Sequence, residues 1–314
     1  MNDYVHLPPY RVEFGNIPLS DKDGVDWGVE SYNIPSLWKQ TKGDGVTVAV
    51  IDTGISKHSA LVDAVVDYRN FSSDTSFEDT VGHGTHVAGI IGARRGLAKG
   101  IAPEAKLLSL KVLGHSGMGS NEAVAKAVLH AAEQRCDIAC MSLGSPKPDS
   151  RLHEAIKLAC REGVIVVCAA GNDGGAVNYP AAFPETVGVG AVDRTGAACE
   201  FSSRGKEIVV AAPGCDITST WLADGYATVS GTSMAAPFVA GTLALYVSAA
   251  KKDGKKIDQP AVLHALSQTC KDAGDTGRDS IYGWGLLDPH NLLNYSVAQS
   301  VGGVTIFIPG AKIL

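Results

Sequence analysis

Short apolar runs recur along this 314-residue chain with helix-like stretches between them, and that alternation limits its fold most. Residues 46–51, 107–112, 137–142, 164–169, 186–192 and 208–211 read as strands. Helical patterns begin near His83 and occupy residues 122–135, 152–162, 233–250 and 261–269. A wholly apolar strand has no face for water, so it belongs in a sheet covered on both sides. Strands alternating with helices predict a doubly wound, mostly parallel α/β sheet with helices on both faces. Ligands of such sheets bind beyond the carboxyl ends of the strands. Asp52, Ser142 and Asn172 fall at or just after such ends. The 36 glycines suit the many tight strand–helix turns this fold requires.

The chain is long enough for one large α/β domain or two small ones. Its net charge of −6 argues against nucleic acid or an anionic membrane as the main partner. The segment Met1-Asn2-Asp3-Tyr4-Val5-His6-Leu7-Pro8-Pro9-Tyr10 has no basic start and no apolar core, so no secretory signal is expected. No apolar run is expected to span a bilayer. The seven cysteines (136, 140, 160, 168, 199, 215 and 270) form no C-x-x-C pair, which favours free thiols in a reducing cytoplasm. Cys168 ends an apolar strand, so an inert buried thiol is expected there rather than a redox switch.

Four segments carry candidate chemistry. Gly231-Thr232-Ser233-Met234-Ala235-Ala236-Pro237 places a serine where a glycine loop becomes a long apolar helix. Such a serine is either a packing cap or a nucleophile in the field of unpaired N–H groups. Pro237 is read as early enough that its missing N–H costs little. Asp52 ends an apolar strand, where a carboxylate needs hydrogen-bond donors; an imidazole would serve, as would an ordinary turn. Gly82-His83-Gly84-Thr85-His86-Val87-Ala88-Gly89 supplies two histidines, but without the glutamate and third ligand of a catalytic zinc helix. His86 is read as a packed, hydrogen-bonded histidine. Ala169-Ala170-Gly171-Asn172 offers either a turn asparagine or an amide aimed at a developing oxyanion.

Aspartate, histidine and serine in that order match one of the three known orders of a hydrolytic triad. With Met141-Ser142-Leu143-Gly144 added, the chain resembles the subtilisin-like serine proteases over about residues 25–290, and among them the intracellular subtilisins of bacilli. The resemblance implies a serine endopeptidase that works through an acyl-enzyme without a cofactor. Ser233 would be the nucleophile, His83 the base and Asp52 the group orienting it. Asn172 and the Ser233 N–H would form the oxyanion hole. Substrate would lie as an added strand between Gly117-Met118-Gly119 and Ser142-Leu143-Gly144. The first specificity pocket would be walled by Ser142, Leu143, Gly144, Ala169, Ala170 and Gly171. Asn178 would lie near its base and Asp173 at its rim, with broad preference for apolar side chains and some tolerance of lysine. The glycines on both edges would let the peptide approach.

The chain also departs from secreted relatives of that family. Ala60 or Leu61 stands where their tight calcium site uses an aspartate, and the loop at residues 92–100 is short and basic. That calcium site is expected to be absent, while a weak calcium or sodium site near Ala181–Thr186 and Glu207 is left open. Leu7-Pro8-Pro9-Tyr10 is similar to the short inhibitory extension of intracellular subtilisins. Residues 1–24 are therefore read as an inhibitory extension, 25–292 as the peptidase domain and 293–314 as a tail. Proline in the scissile position would resist cutting because its amide is tertiary. Removal of the chain to about residue 15 would activate the enzyme. The tail, with a strand-like stretch at 304–308, is a candidate dimer contact. A processing protease for one partner and a silent peptide-binding pseudoprotease are the competing readings.

Overall fold

The computed structural model describes residues 3–13 and 24–295. Seven of its strands form one sheet: β3 (Thr47–Asp52), β4 (Val65–Asn70), β5 (Lys106–Lys111), β7 (Ile138–Met141), β8 (Ile165–Ala169), β9 (Val187–Val192) and β10 (Ile208–Pro213). Their order is β10-β9-β8-β7-β3-β5-β4, and every pairing is parallel. Side chains alternate across a strand, so each strand feeds two cores. Val48 and Val50 join Ile138, Ile165 and Val167 in the core that holds α3 (His83–Gly92), α6 (Thr232–Lys252) and α7 (Gln259–Thr269). Ala49 and Ile51 join Ala139, Met141, Val166 and Cys168 against α4 (Asn121–Glu133) and α5 (Ser150–Arg161). The expected doubly wound architecture is the one the chain adopts.

The surface helices show why they form. In α5 the buried residues Leu152, Ala155, Ile156 and Ala159 fall on one stripe, and Asp149 caps the start by accepting the Arg151 and Leu152 N–H groups. By contrast, α6 is apolar all round. An apolar stretch within its 21 residues reaches a mean hydropathy of 1.4, so by length and composition it is long enough to cross a bilayer, contrary to expectation. Some 94% of that apolar stretch is buried inside the fold, which is the position of a central core helix.

The N-terminal segment contains two short strands. β1 (Tyr4–His6) pairs antiparallel with β6 (Met118–Ser120), and β2 (Arg11–Glu13) joins β11 (Ile217–Thr220) and β12 (Tyr226–Ser230) through β12. Three-residue strands held mainly by backbone bonds leave no periodic side-chain signature. The remaining helices are α1 (Trp27–Ser31), α2 (Ile34–Leu37) and α8 (Pro289–Leu293). The strand expected at 304–308 lies outside the described residues.

Cysteine pairing is a second correction. Cys199 and Cys215 form a disulfide with their Cα atoms 6.7 Å apart, leaving five free thiols. Spacing gave no hint, because the parallel β9–β10 pairing is what brings the two following loops together. The Cys199 N–H donates to Ala191 and the Cys215 N–H to Val192. Cys168 is fully buried, and burial raises its thiol well above the ordinary range, as expected of an inert group.

Candidate active site

β3 delivers Asp52 to the end of the sheet, fully buried, with its Oδ1 accepting the Thr53 N–H at 2.7 Å. The same oxygen meets His83 Nδ1 at 2.8 Å. An imidazole that donates from Nδ1 and is neutral must offer Nε2 as an acceptor. That Nε2 is buried and makes no hydrogen bond among the described residues. His83 is the first residue of α3, and Gly82 before it has φ of 97° with no room for a side chain: a Cβ would fall 2.4 Å from the Trp221 ring.

Asp79, which sequence reasoning passed over, fixes this helix start. One of its oxygens accepts from the Thr53 hydroxyl and the Val81 and Gly82 N–H groups, all at 2.9 Å. The other accepts from the Thr85 N–H at 2.9 Å and its hydroxyl at 2.7 Å. Asp79 thus joins the loop after Asp52 to the turn that presents His83. His86 has the packed role expected of it: its Nε2 meets the Ile217 and Ala227 carbonyls, and burial lowers its pKa to about 3. It stays neutral, held by those carbonyls.

Ser233 is the second residue of α6, and Thr232 before it orients Asn172. The Thr232 N–H and hydroxyl both donate to Asn172 Oδ1, at 2.8 and 2.7 Å, so the amide nitrogen must face the cleft. Ser142 lies beneath. Its hydroxyl donates to the Ser233 carbonyl at 2.9 Å, while the Ser233 hydroxyl donates to the Ser142 carbonyl at 3.4 Å. The first of these bonds corrects the reading of Pro237. Pro237 is the sixth residue of α6, past the turn where a missing N–H is free of cost. The carbonyl it deprives, four residues back, is that of Ser233, and Ser142 supplies the missing donor.

The cleft between the two expected edges contains the N-terminal segment. Val5 is opposite Gly119 and His6 opposite Met118 in the β1–β6 pairing. His6 also exchanges both backbone bonds with Gly144 at 3.0 Å, and the Leu7 N–H donates to Gly117 at 3.0 Å. Asn172 Nδ2 donates to the Pro9 carbonyl at 2.8 Å, and the Tyr10 ring packs on His83 with centroids 5.1 Å apart. Burial pushes the Tyr10 phenol pKa up, with the charges of Asp52 and Asp79 adding to the effect. The amide following the Pro9 carbonyl belongs to Tyr10 and is secondary. A tertiary scissile amide therefore does not explain why this segment would resist cutting.

The glycines of the edges have a more local cause than expected. A Cβ on Gly117 would lie 3.2 Å from Leu7, so there the added strand sets the limit. On Gly119 it would fall 2.2 Å from the Val112 carbonyl, and on Gly144 it would lie 3.1 Å from Asn178. Asn178 itself sits between the two expected walls, its N–H on Ala170 at 2.8 Å and its amide against Gly171. Leu143, Ala169 and Ala170 turn their side chains into the cores. Asp173 accepts from the Gly175 N–H and the Ser203 hydroxyl, which hold its pKa below the usual range. Met118 is about half exposed on the rim.

Another residue missed from sequence is Lys111. It is fully buried, stands level with Asp52 in the β3–β5 register, and donates to the Thr53 carbonyl at 2.8 Å. Its ammonium also lies 3.3 Å from Asp74, which binds the His115 N–H in the loop leading to Gly117. A lysine ending an apolar strand was the available signal.

Ala60 and Leu61 are buried apolar side chains, so they do not fit the tight calcium site of secreted relatives. Around the second candidate, the Thr186 hydroxyl lies within hydrogen-bond reach of the Pro180, Ala181 and Phe183 carbonyls, the nearest at 2.9 Å. Lys206 and Arg278 line the same hollow as Glu207, a charge balance that disfavours a divalent cation.

Residues 43–285 match the subtilase family. The intracellular serine protease of Paenibacillus polymyxa is 42% identical over 260 residues, covering 78% of each chain. The major intracellular serine protease of Bacillus subtilis is 41% identical, over 79% of this chain and 82% of its own. Subtilisin Savinase of Lederbergia lenta is 38% identical, over 84% and 97%. A parallel sheet that places an aspartate, a histidine and a helix-start serine at one end is also the arrangement this chain builds for itself, and it is a serine endopeptidase of the subtilase family.

Proposed function

We propose that the chain hydrolyses peptide bonds of peptides and unfolded proteins through an acyl-enzyme on Ser233. His83 Nε2 takes the serine proton and later returns it to the leaving amine. Asp52 holds the Nδ1–H tautomer and stabilises the imidazolium. Asn172 Nδ2 and the Ser233 N–H receive the oxyanion. The observation that carries this reading is the buried 2.8 Å contact of Asp52 with His83, which leaves one unpartnered acceptor at the start of a helix packed against the helix of Ser233. The pocket of backbone atoms around Asn178 suits broad, apolar preference. Labelling of Ser233 by a fluorophosphonate tests the assignment; a chain starting at Gly24 that does not label would overturn it.

Residues 1–24 act as an inhibitor in cis, and the peptidase unit is 25–292. Support comes from the segment's place on both substrate edges, with the Pro9 carbonyl on Asn172 and Tyr10 over His83. A cytoplasmic site of action follows from the likeness to proteases named intracellular and from a built-in inhibitor that needs no secretion step. Comparison of the full chain with one starting at Gly24 on a chromogenic peptide tests the inhibition. Equal rates would refute it.

A further inference from the structure

Lys111 is a fully buried ammonium that the acyl-transfer steps do not use. A buried charge is costly unless it is paired and hydrogen-bonded, so its place needs a reason. Its Nζ donates to the Thr53 carbonyl at 2.8 Å and lies 3.3 Å from Asp74, whose side chain is 18% exposed. Thr53 in turn touches both buried carboxylates of the site. Its N–H donates to Asp52 Oδ1 at 2.7 Å and its hydroxyl to Asp79 Oδ1 at 2.9 Å. The same hydroxyl oxygen accepts the Gly84 N–H of α3 at 2.9 Å. One buried residue thus links two carboxylates, an ammonium and the helix that presents His83.

The charges around His83 do not balance without that ammonium. Asp52 and Asp79 are both buried, and Asp52 Oδ2 takes no hydrogen bond among the described residues. A carboxylate with a bare oxygen out of water takes up a proton unless a cation lies near. His83 is such a cation only when protonated, and a general base must be neutral at rest. The elements packed on α3 are α6, β11, β3 and β5. β11 has no ionisable side chain, and β3 brings Asp52 itself. In α6, Lys251 and Lys252 pair at the far end with Asp137 and Asp44, and burial pushes the Tyr246 phenol up. In β5, Lys106 is exposed at the opposite end of the strand from Lys111. Burial keeps His86 neutral, with a pKa of about 3, and raises both the Tyr10 phenol over His83 and the Cys140 thiol near Asp52. Lys111 is the cation that remains.

We propose that Lys111 is a positioning residue of the triad, the permanent counter-ion that keeps Asp52 and Asp79 ionised while His83 is neutral. At rest one carboxylate charge stays uncompensated, and the imidazolium formed as Ser233 gives up its proton completes the balance. Lys111 thereby sets how readily His83 takes a proton. Its positive charge opposes protonation, while Asp74 offsets that charge and so favours it.

This proposal rests on the assignment of Asp52, His83 and Ser233 as the triad, and it is tested without turnover, so the two can fail separately. In the full chain, nitrogen NMR of the histidine rings follows His83 through a pH titration, its signals identified by their loss in His83→Gln. Lys111→Met keeps an apolar stem and removes the charge. His83 should then take its proton at a pH higher by about half a unit or more. Asp74→Asn should move the midpoint the other way. A lysine that merely pinned the loop would change stability and leave the midpoint in place. A midpoint unmoved in either folded variant, or moved in the same sense in both, overturns the proposal. If Lys111→Met does not fold, Asp74→Asn decides alone: a lower midpoint supports the counter-ion, and an equal or higher one overturns it. Failure of a fluorophosphonate to label Ser233 in the chain starting at Gly24 overturns the triad assignment instead.

Discussion

Ser142 and Ser233 exchange two hydrogen bonds, each hydroxyl donating to the other's carbonyl at 2.9 and 3.4 Å. The shorter bond satisfies the carbonyl that Pro237 leaves without a donor, so a helix defect and a cleft edge are joined at the nucleophile. Ser142→Ala should lower the stability of the inhibited full chain by about 1–3 kcal/mol, the cost of one orphaned buried acceptor. A fall in the urea midpoint at unchanged slope checks it.

Asn172 offers its amide nitrogen to the cleft because Thr232 occupies its oxygen twice. In a chain starting at Gly24, Asn172→Ala should reduce kcat by about 10²–10³ with KM nearly unchanged, as found for a subtilisin oxyanion-hole asparagine. Steady-state kinetics on a peptide amide would show it. An equal loss in KM would mean the amide mainly binds the ground state.

Asp79 accepts five hydrogen bonds and contributes nothing but acceptors. Asp79→Asn keeps its shape but turns an NH₂ group toward donors. Stability should drop by roughly 3 kcal/mol or more, because bonds to a charged acceptor are worth about 1.5–3 kcal/mol each. His83 should lose its alignment with Asp52, so residual activity falls even in folded enzyme. Circular dichroism and titration of the folded fraction with fluorophosphonate separate the two effects.

His86 makes stability depend on acid. Its folded pKa of about 3 lies below the unfolded value of 6.5, so between these limits the unfolded chain binds the extra proton. Stability is therefore full above the unfolded value and is lost as pH falls, at up to about 1.4 kcal/mol per pH unit. His86→Gln, which can still donate to the Ile217 or Ala227 carbonyl, should flatten this slope by one proton. Urea midpoints measured from pH 7 down to 4 decide it; an unchanged slope would contradict the assignment.

The doubly wound sheet was legible because its strands other than the half-exposed β4 are apolar on both faces and surface helices such as α5 carry a regular stripe; β4, with Asp67 and Arg69, escaped. Asp52, His83, Asn172 and Ser233 were legible as well, since small residues around a polar one mark a strand end or helix start. Lys111 and Asp79 escaped because their value lies in partners far along the chain: Asp79 reads alone as an ordinary loop acid. The cysteines misled for the same reason, with the β9–β10 register pairing two that no motif connects.

What the sequence determined by itself was the local chemistry: where apolar surface must be buried, where a helix starts, and that residue 8 can donate no hydrogen bond. What the N-terminal segment meets in the cleft was decided only by the tertiary structure. Register is a property of two strands, and the pairing of His6 with Gly144 and of Val5 with Gly119 is what lays the N-terminal segment between the two cleft edges.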